Sequence, residues 1–288
     1  MKLYKKILAC VDGSEESFNA YKNALRLAKG IGAEVLAITV VPVGPALSSA
    51  ISLFIGMKDT FKKGAEKILK EALDIAEEEG IKVKDILEEG EPFHRIVDTA
   101  YAEGVDLIVL GKTGKSGLAK GILGSTAMRT IGASPVDCLV IPKEVTLKIK
   151  RILLPVDGSE YSEKAAERAL FLAKNFNASV DILFVVELPL ELYEPPAELV
   201  NLIETLRNEG EEIVRKLKLK FKEEGVPSET YVIQGNVAEE ILGLSDKVEA
   251  DLIVMGSHGR TGLKRLLLGS VTEKVINFGK KPVLVVKL

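Results

Sequence analysis

The segment from Gly111 to Ser125, GKTGKSGLAKGILGS, holds glycines in the pattern Gly-x2-Gly-x9-Gly-Ser at Gly111, Gly114, Gly124 and Ser125. Glycine lets a backbone come close to a ligand and aim its N–H groups at phosphate oxygens. Gly124 stands just before Ser125, where a helix is predicted to start, and free N–H groups with the helix dipole favour an anion there. The same pattern returns as Gly256, Gly259, Gly269 and Ser270 in GSHGRTGLKRLLLGS. The triplets Gly-Lys-Thr and Gly-Lys-Ser imitate the end of a P-loop, but that loop needs a glycine where Asp106 and Val109 stand. A P-loop is therefore excluded, and the chemistry left is phosphate binding by backbone.

A second group of residues carries acid. Asp12 lies in Val11-Asp12-Gly13-Ser14, and Asp157 lies in the matching Val156-Asp157-Gly158-Ser159. The glycine suits a strand-to-helix turn and the serine an N-cap. The aspartate is not needed for that turn, and its carboxylate is free to accept hydrogen bonds from ribose hydroxyls. Val40 and Val185 end the second predicted strand of each half. Their side chains suit the core, while their backbone groups are available to a base.

These residues belong to a unit written twice. Lys5–Ser17, KKILACVDGSEES, recurs as Lys150–Ser162, KRILLPVDGSEYS, and 157 − 12 and 256 − 111 both give 145. The same shift pairs Gly80 with Gly225 and Gly90 with Gly235, so the copies align without a gap. Two domains follow, residues 1–145 and 146–288, joined near KEVTLKIK, Lys143 to Lys150. In each half short, almost wholly apolar runs (KILACV, EVLAITVV, VDLIVLG, DCLVIP) alternate with helical spacing (SFNAYKNALRLAKGIG, a stretch near Lys58–Glu79, PFHRIVDTAYAEG, STAMRTIGA). Such alternation means parallel crossover units under helices on both faces. The fold class is α/β, as two tandem doubly wound five-stranded parallel sheets of Rossmann-like type. With strand order 3-2-1-4-5, strands one and four flank the switch point, and Asp12 and Gly111 face one crevice.

Composition narrows the partners. A chain of 288 residues with net charge −3 and 47% hydrophobic residues reads as folded, and with no basic block nothing points to nucleic acid. The start, MKLYKKILACVDGS, is not a signal segment, and the apolar stretch Ala46–Met57 is too short to span a bilayer. The expectation is a cytoplasmic protein with no membrane partner. Cys10 and Cys138 sit in apolar runs and read as buried small hydrophobes rather than a disulfide or metal pair. With two histidines in the chain, a multi-histidine metal site is excluded. His94 is read at the surface, and His258 as a surface loop residue rather than a general base. No Ser-His-Asp trio, metal-ligand set or carboxylate pair emerges. The residues point to nucleotide held with slow or absent turnover, no catalytic residue being assigned.

Together the Asp-Gly-Ser turn and the Gly-x2-Gly-x9-Gly-Ser segment resemble the universal stress proteins, specifically their ATP-binding branch. The resemblance spans both halves, including GEPFHRIV after strand three and the closing KPVLVVKL. It implies ATP, or AMP or ADP, in one potential site per domain, with Mg2+ or Mn2+ on the phosphates. By motif position Asp12 and Asp157 would bind ribose, and Val40 and Val185 would meet adenine. Gly111, Gly114, Gly124 and Ser125 would hold phosphates in the first half; Gly256, Gly259, Gly269, Ser270 and Thr272 would do so in the second. It also implies pairing of DCLVIP with PVLVVKL in an intramolecular pseudo-dimer, with a homodimer open.

The first half departs from the family pattern. Lys112-Thr113 replace Ser-His, and Ala127 stands where the second half has Thr272. Lys112 is a candidate countercharge for phosphate. A regulatory nucleotide-binding role in the stress response leads; a slow ATP-hydrolysing enzyme and a nucleotide-independent dimeric scaffold are the alternatives. The halves diverge most after strand two, where PVGPALSSAISLFIGMKDTFKK is apolar and ELPLELYEPPAELVNLIETLRNEGEE acidic. Each is either a lid or partner surface, or a loop leading into the helix that covers the sheet.

Overall fold

The structure, a computed structural model, describes residues 3–43, 51–114, 122–187, 197–260 and 268–288. Parts of both divergent segments and of both Gly-rich segments lie outside these residues. The chain divides between Leu147 and Lys148 into two compact units.

In the first unit the order is β1 (Lys6–Cys10), α1 (Glu15–Ile31), β2 (Glu34–Pro42), α2 (Ile51–Glu78), β3 (Val83–Gly90), α3 (Pro92–Ala102), β4 (Leu107–Gly111), α4 (Ser125–Ala133) and β5 (Asp137–Ile141). All strand pairs are parallel and run β3-β2-β1-β4-β5. The second unit repeats it with β6 (Arg151–Val156), α5 (Glu160–Phe176), β7 (Ser179–Val186), α6 (Ala197–Glu223), β8 (Ser228–Gln234), α7 (Val237–Lys247), β9 (Leu252–Gly256), α8 (Ser270–Phe278) and β10 (Val283–Val286). Its strands run β8-β7-β6-β9-β10, also parallel. Each half is therefore the doubly wound 3-2-1-4-5 sheet that the alternation predicts.

Local chemistry explains the elements. Ile7, Leu8, Leu107, Ile108, Leu153 and Ile253 are wholly buried, because the central strands have helices on both faces. The outer strands β3 and β8 carry charged residues and stay half exposed. Ser14 caps α1 by accepting from Ser17 N–H, and Ser159 caps α5 through Ser162 N–H. At the other end α1 stops on Gly32 at φ 69° and α5 on Asn177 at φ 52°, the two residue types that enter the left-handed region most readily.

The second helix of the first half starts at Ile51, earlier than the expected Lys58, and packs on β2 and β3. Its twin α6 packs on β7 and β8. The described parts of the divergent segments thus serve to cover the sheet, as an amphipathic helix must. In α6 the approach is close at Gly210, where an added methyl group would overlap the Phe184 ring. The segment before Leu147 is tied to the first unit rather than free: Asn23 Nδ2 donates to the Val145 carbonyl at 2.8 Å, and Leu147 N–H donates to Asn23 Oδ1 at 2.7 Å.

One buried charge belongs to the second half alone. Asp181 on β7 is 2% exposed and accepts from Arg151 Nε at 2.6 Å and Nη2 at 3.1 Å. Leu36 holds the corresponding place in the first half. Asp181 is buried but Arg151 is 41% exposed, so solvent screens the pair and Arg151→Ala is expected to cost about 1 kcal/mol. Arg151→Ala with Asp181→Leu should recover most of it, and urea unfolding of the two variants checks both values.

Candidate functional site

In each unit the ladder between the two strands that flank the switch point stops before the strands do. The ladder of β1 with β4 ends at Ala9↔Val109, yet β4 continues to Gly111; β6 with β9 ends at Leu153↔Ile253, yet β9 continues to Gly256. In β6 the ladder stops one pair earlier than in β1, where Pro155 has no N–H to donate. Cys10 occupies that place in the first half. Burial pushes its thiol well above the ordinary pKa, with Cys138 and Asp12 adding to the shift, so it is not a reactive thiolate. Neither cysteine is in a disulfide.

The crevice so opened collects the acidic turn and the Gly-rich segment. Asp12 Oδ1 accepts from Ser14 N–H at 2.9 Å and Ser14 Oγ–H at 2.6 Å. Asp157 Oδ1 accepts from Ser159 N–H at 3.0 Å. These bonds fix each carboxylate within its turn, which is entered through Gly13 at φ 83° and Gly158 at φ 80°. The other oxygen faces the Gly-rich segment. A Cβ on Gly114 would lie 2.6 Å from Asp12 Oδ2, and one on Gly259 would lie 2.7 Å from Asp157 Oδ2. Glycine is required there because backbone meets carboxylate without room for a side chain.

The remaining glycines close the cradle. Gly111 and Gly256 end their strands against the first turn of the neighbouring helix: an added Cβ would come 3.1 Å from the Glu16 carbonyl oxygen and 2.7 Å from Tyr161 Cβ. Gly124 N–H donates to the Lys112 carbonyl and Gly269 N–H to the Ser257 carbonyl, both at 2.9 Å, which returns the segment to the strand end. Gly124 and Gly269 are the N-cap residues of α4 and α8, and among the described residues neither helix has a side-chain cap. The helices α1 and α5 beside them are capped by serine. First-turn N–H groups without a described side-chain cap, at the exposed Ser125 and Ser270, are of the kind that suits an anion.

Val40 and Val185 lie at the other wall. Val11 N–H donates to Ile38 carbonyl at 2.9 Å, so Ile38 turns its backbone toward β1. Two residues on, Val40 turns the same way, beyond the end of β1. Val185 lies one residue past the last β6–β7 partner, Phe184. The structure thus brings Asp12, Val40, Gly111, Gly114, Gly124 and Ser125 to one end of the first sheet, and their counterparts to one end of the second.

Thr272 sits differently from the others. It is 3% exposed, and its hydroxyl donates to the Gly256 carbonyl at 2.9 Å, holding the segment's first glycine from behind. Ala127 is buried in the same place without such a bond. Lys112 is also buried, and burial pushes its ammonium below the ordinary lysine pKa. His94 is exposed and pairs with Glu91 at 3.2 Å, as expected of a surface residue. His258 is not the surface histidine expected. It is half-buried against Tyr161, ring centres 5.2 Å apart, with Nδ1 3.1 Å from Ser257 Oγ and Nε2 buried without a hydrogen bond among the described residues. Tyr161, the residue after Glu160 in α5, covers it; sequence spacing does not reveal that contact.

Two further residues reach the second site unannounced. Arg260 N–H donates to Asp157 Oδ2 at 3.0 Å, and its Nε donates to the Asp157 carbonyl. Its guanidinium pairs with Glu209 of α6 at 2.6 Å. Among the described residues no group of three or more His, Cys, Asp or Glu is placed to hold a metal, and no helix is long and apolar enough to cross a membrane.

Comparison with known proteins agrees with the duplication. A model described as the universal stress protein family matches residues 3–142 and again 148–287. A universal stress protein of Methanocaldococcus jannaschii is 45% identical over 139 residues, 48% of this chain and 82% of that protein. One of Synechocystis is 26% identical over 307 residues, covering 97% of this chain and 99% of its own. Among solved structures, the crystal structure of a universal stress protein from Archaeoglobus fulgidus superposes with a TM-score of 0.77 at 26% identity, covering 99% of this chain and 98% of that one.

Proposed function

The chain belongs to the universal stress protein family as a tandem two-domain member, and on that premise we propose that it is a regulatory protein of the stress response that binds ATP, or AMP or ADP, once in each half. The observation that carries this reading is the approach of a Gly-rich backbone to an aspartate at both switch points: Gly114 at Asp12 and Gly259 at Asp157. A strand-to-helix turn needs neither the carboxylate nor a glycine opposite it. A nucleotide needs both, one for the ribose diol and one for the phosphates.

The remaining groups fit the same ligand. Backbone N–H and C=O of Val40 and Val185 would meet the adenine edge. The backbone at Gly111, Gly114 and Gly124, with the first turn at Ser125, would receive the phosphates of the first half. Gly256, Gly259, Gly269 and Ser270 would do so in the second, with Thr272 steadying Gly256. A divalent ion, Mg2+ or Mn2+, would be carried by the phosphates themselves, which is common for Mg2+ in nucleotide sites. Buried Lys112 adds positive charge to the first-half segment. In this reading the sites hold nucleotide with slow or absent turnover, as a switch does.

Calorimetric titration of ATP with Mg2+ into nucleotide-stripped protein tests the reading. Two sites per chain are expected. One site would leave the other half as a structural partner, and none would leave a scaffold that works without nucleotide. Steady phosphate release at either site would instead favour the hydrolase.

A further inference from the structure

The second half carries a pair whose acid has no counterpart in the first, where Gly64 stands at the Glu209 position. Arg260 follows Gly259 and touches the ribose turn at two points: its N–H on Asp157 Oδ2 at 3.0 Å, and its Nε on the Asp157 carbonyl. The end of its side chain is drawn away toward α6, where Glu209 accepts from Nη2 at 2.6 Å and from Nη1 at 3.4 Å. An added Cβ on Gly158 would meet that guanidinium at 3.1 Å, so the arginine lies along the surface of the turn. A cavity of ≈ 380 Å³, lined by Gly158, Glu209, Ile213 and Lys216 among others, opens beside it. In the first half Gly64 stands in place of Glu209, and Thr39 in place of Phe184, the residue against which α6 seats Gly210.

We infer that Arg260 reads the phosphates of the second-half nucleotide, and that Glu209 holds it in reserve, so that binding exchanges a carboxylate partner on α6 for a phosphate. This rests on the nucleotide reading above. The energetics favour exchange. Both side chains of the pair are more than a third exposed, at 41% and 45%, and such pairs are worth little. A guanidinium facing a multiply charged phosphate forms a stronger, bidentate contact. Each Asp157 oxygen retains a second lone pair after its protein bond, so the arginine and a ribose hydroxyl can share the carboxylate. The exchange also gives α6 a reason to report occupancy, because its tie to the turn is released when the guanidinium leaves.

The test uses the full chain in a Gly114→Ala background, so that the second half is read alone. ATP with Mg2+ is titrated by calorimetry, and adenosine is measured by competition. Glu209→Gln is expected to tighten ATP about three- to five-fold and leave adenosine unchanged. Arg260→Gln is expected to weaken ATP about ten-fold, again sparing adenosine, and the double variant should match Arg260→Gln alone. Arg260→Lys should restore part of the loss. Equal shifts for ATP and adenosine, additive effects, or no change at Glu209→Gln would overturn the exchange while leaving the nucleotide site standing. Failure of the Gly114→Ala protein to bind ATP at all would overturn the second-half site itself, and the exchange with it.

Discussion

Replacing Gly259 by alanine is expected to weaken nucleotide binding in the second half by about 100-fold or more, and Gly114→Ala to do the same in the first. The cause is steric and specific. The new Cβ would stand 2.7 Å from Asp157 Oδ2, or 2.6 Å from Asp12 Oδ2, far inside contact distance. A free carboxylate would simply turn aside. These are held, Asp157 by Ser159 N–H and Arg260 N–H, Asp12 by both the N–H and the hydroxyl of Ser14. The acid or the segment must therefore move, and either shift separates the ribose acceptor from the phosphate donors. Neither glycine is in the core or at positive φ, so the melting temperature should hardly change. Calorimetry with a thermal melt of each variant checks the pair of outcomes. Binding retained in both would remove the central support for the nucleotide reading.

The second large effect is expected at the carboxylates. Asp157→Ala removes the acceptors for the ribose diol, and hydrogen bonds to a charged partner of this kind are worth enough to predict a loss of roughly 30-fold. Asp157→Asn should do little better. Both Asp157 oxygens already accept backbone N–H groups, from Ser159 and Arg260, and an amide would turn a donor toward one of them. Titration with ATP and with 2′-deoxy-ATP separates ribose recognition from a general loss of shape. Wild type should prefer the ribose form, and the alanine variants should lose that preference.

Much of the scaffold was legible because its signals are local or repeated. Apolar strand runs, helical spacing and the Asp-Gly-Ser turn each depend on neighbours in sequence, and the shift of 145 tests each reading twice. Handedness and short connections then leave few orders for five parallel strands. The start of α2 was misplaced because apolar residues in the Ala46–Met57 stretch look alike in a loop, a span or a helix. His258 was misread for a different reason: its burial comes from Tyr161, whose position follows from how α5 crosses the sheet.

By itself, then, the sequence determined the duplicated doubly wound fold, the strand ends that carry acid and glycine, and the residue types able to cradle a nucleotide. Those depend on backbone propensity, periodicity and chain length, which adjacent residues express. The tertiary structure decided what lies opposite what. It set Gly114 and Gly259 against the carboxylates, turned Thr272 inward to Gly256, and joined Arg260 to Glu209. Such contacts arise between elements far apart in the chain, where packing sets the distance and no spacing records it.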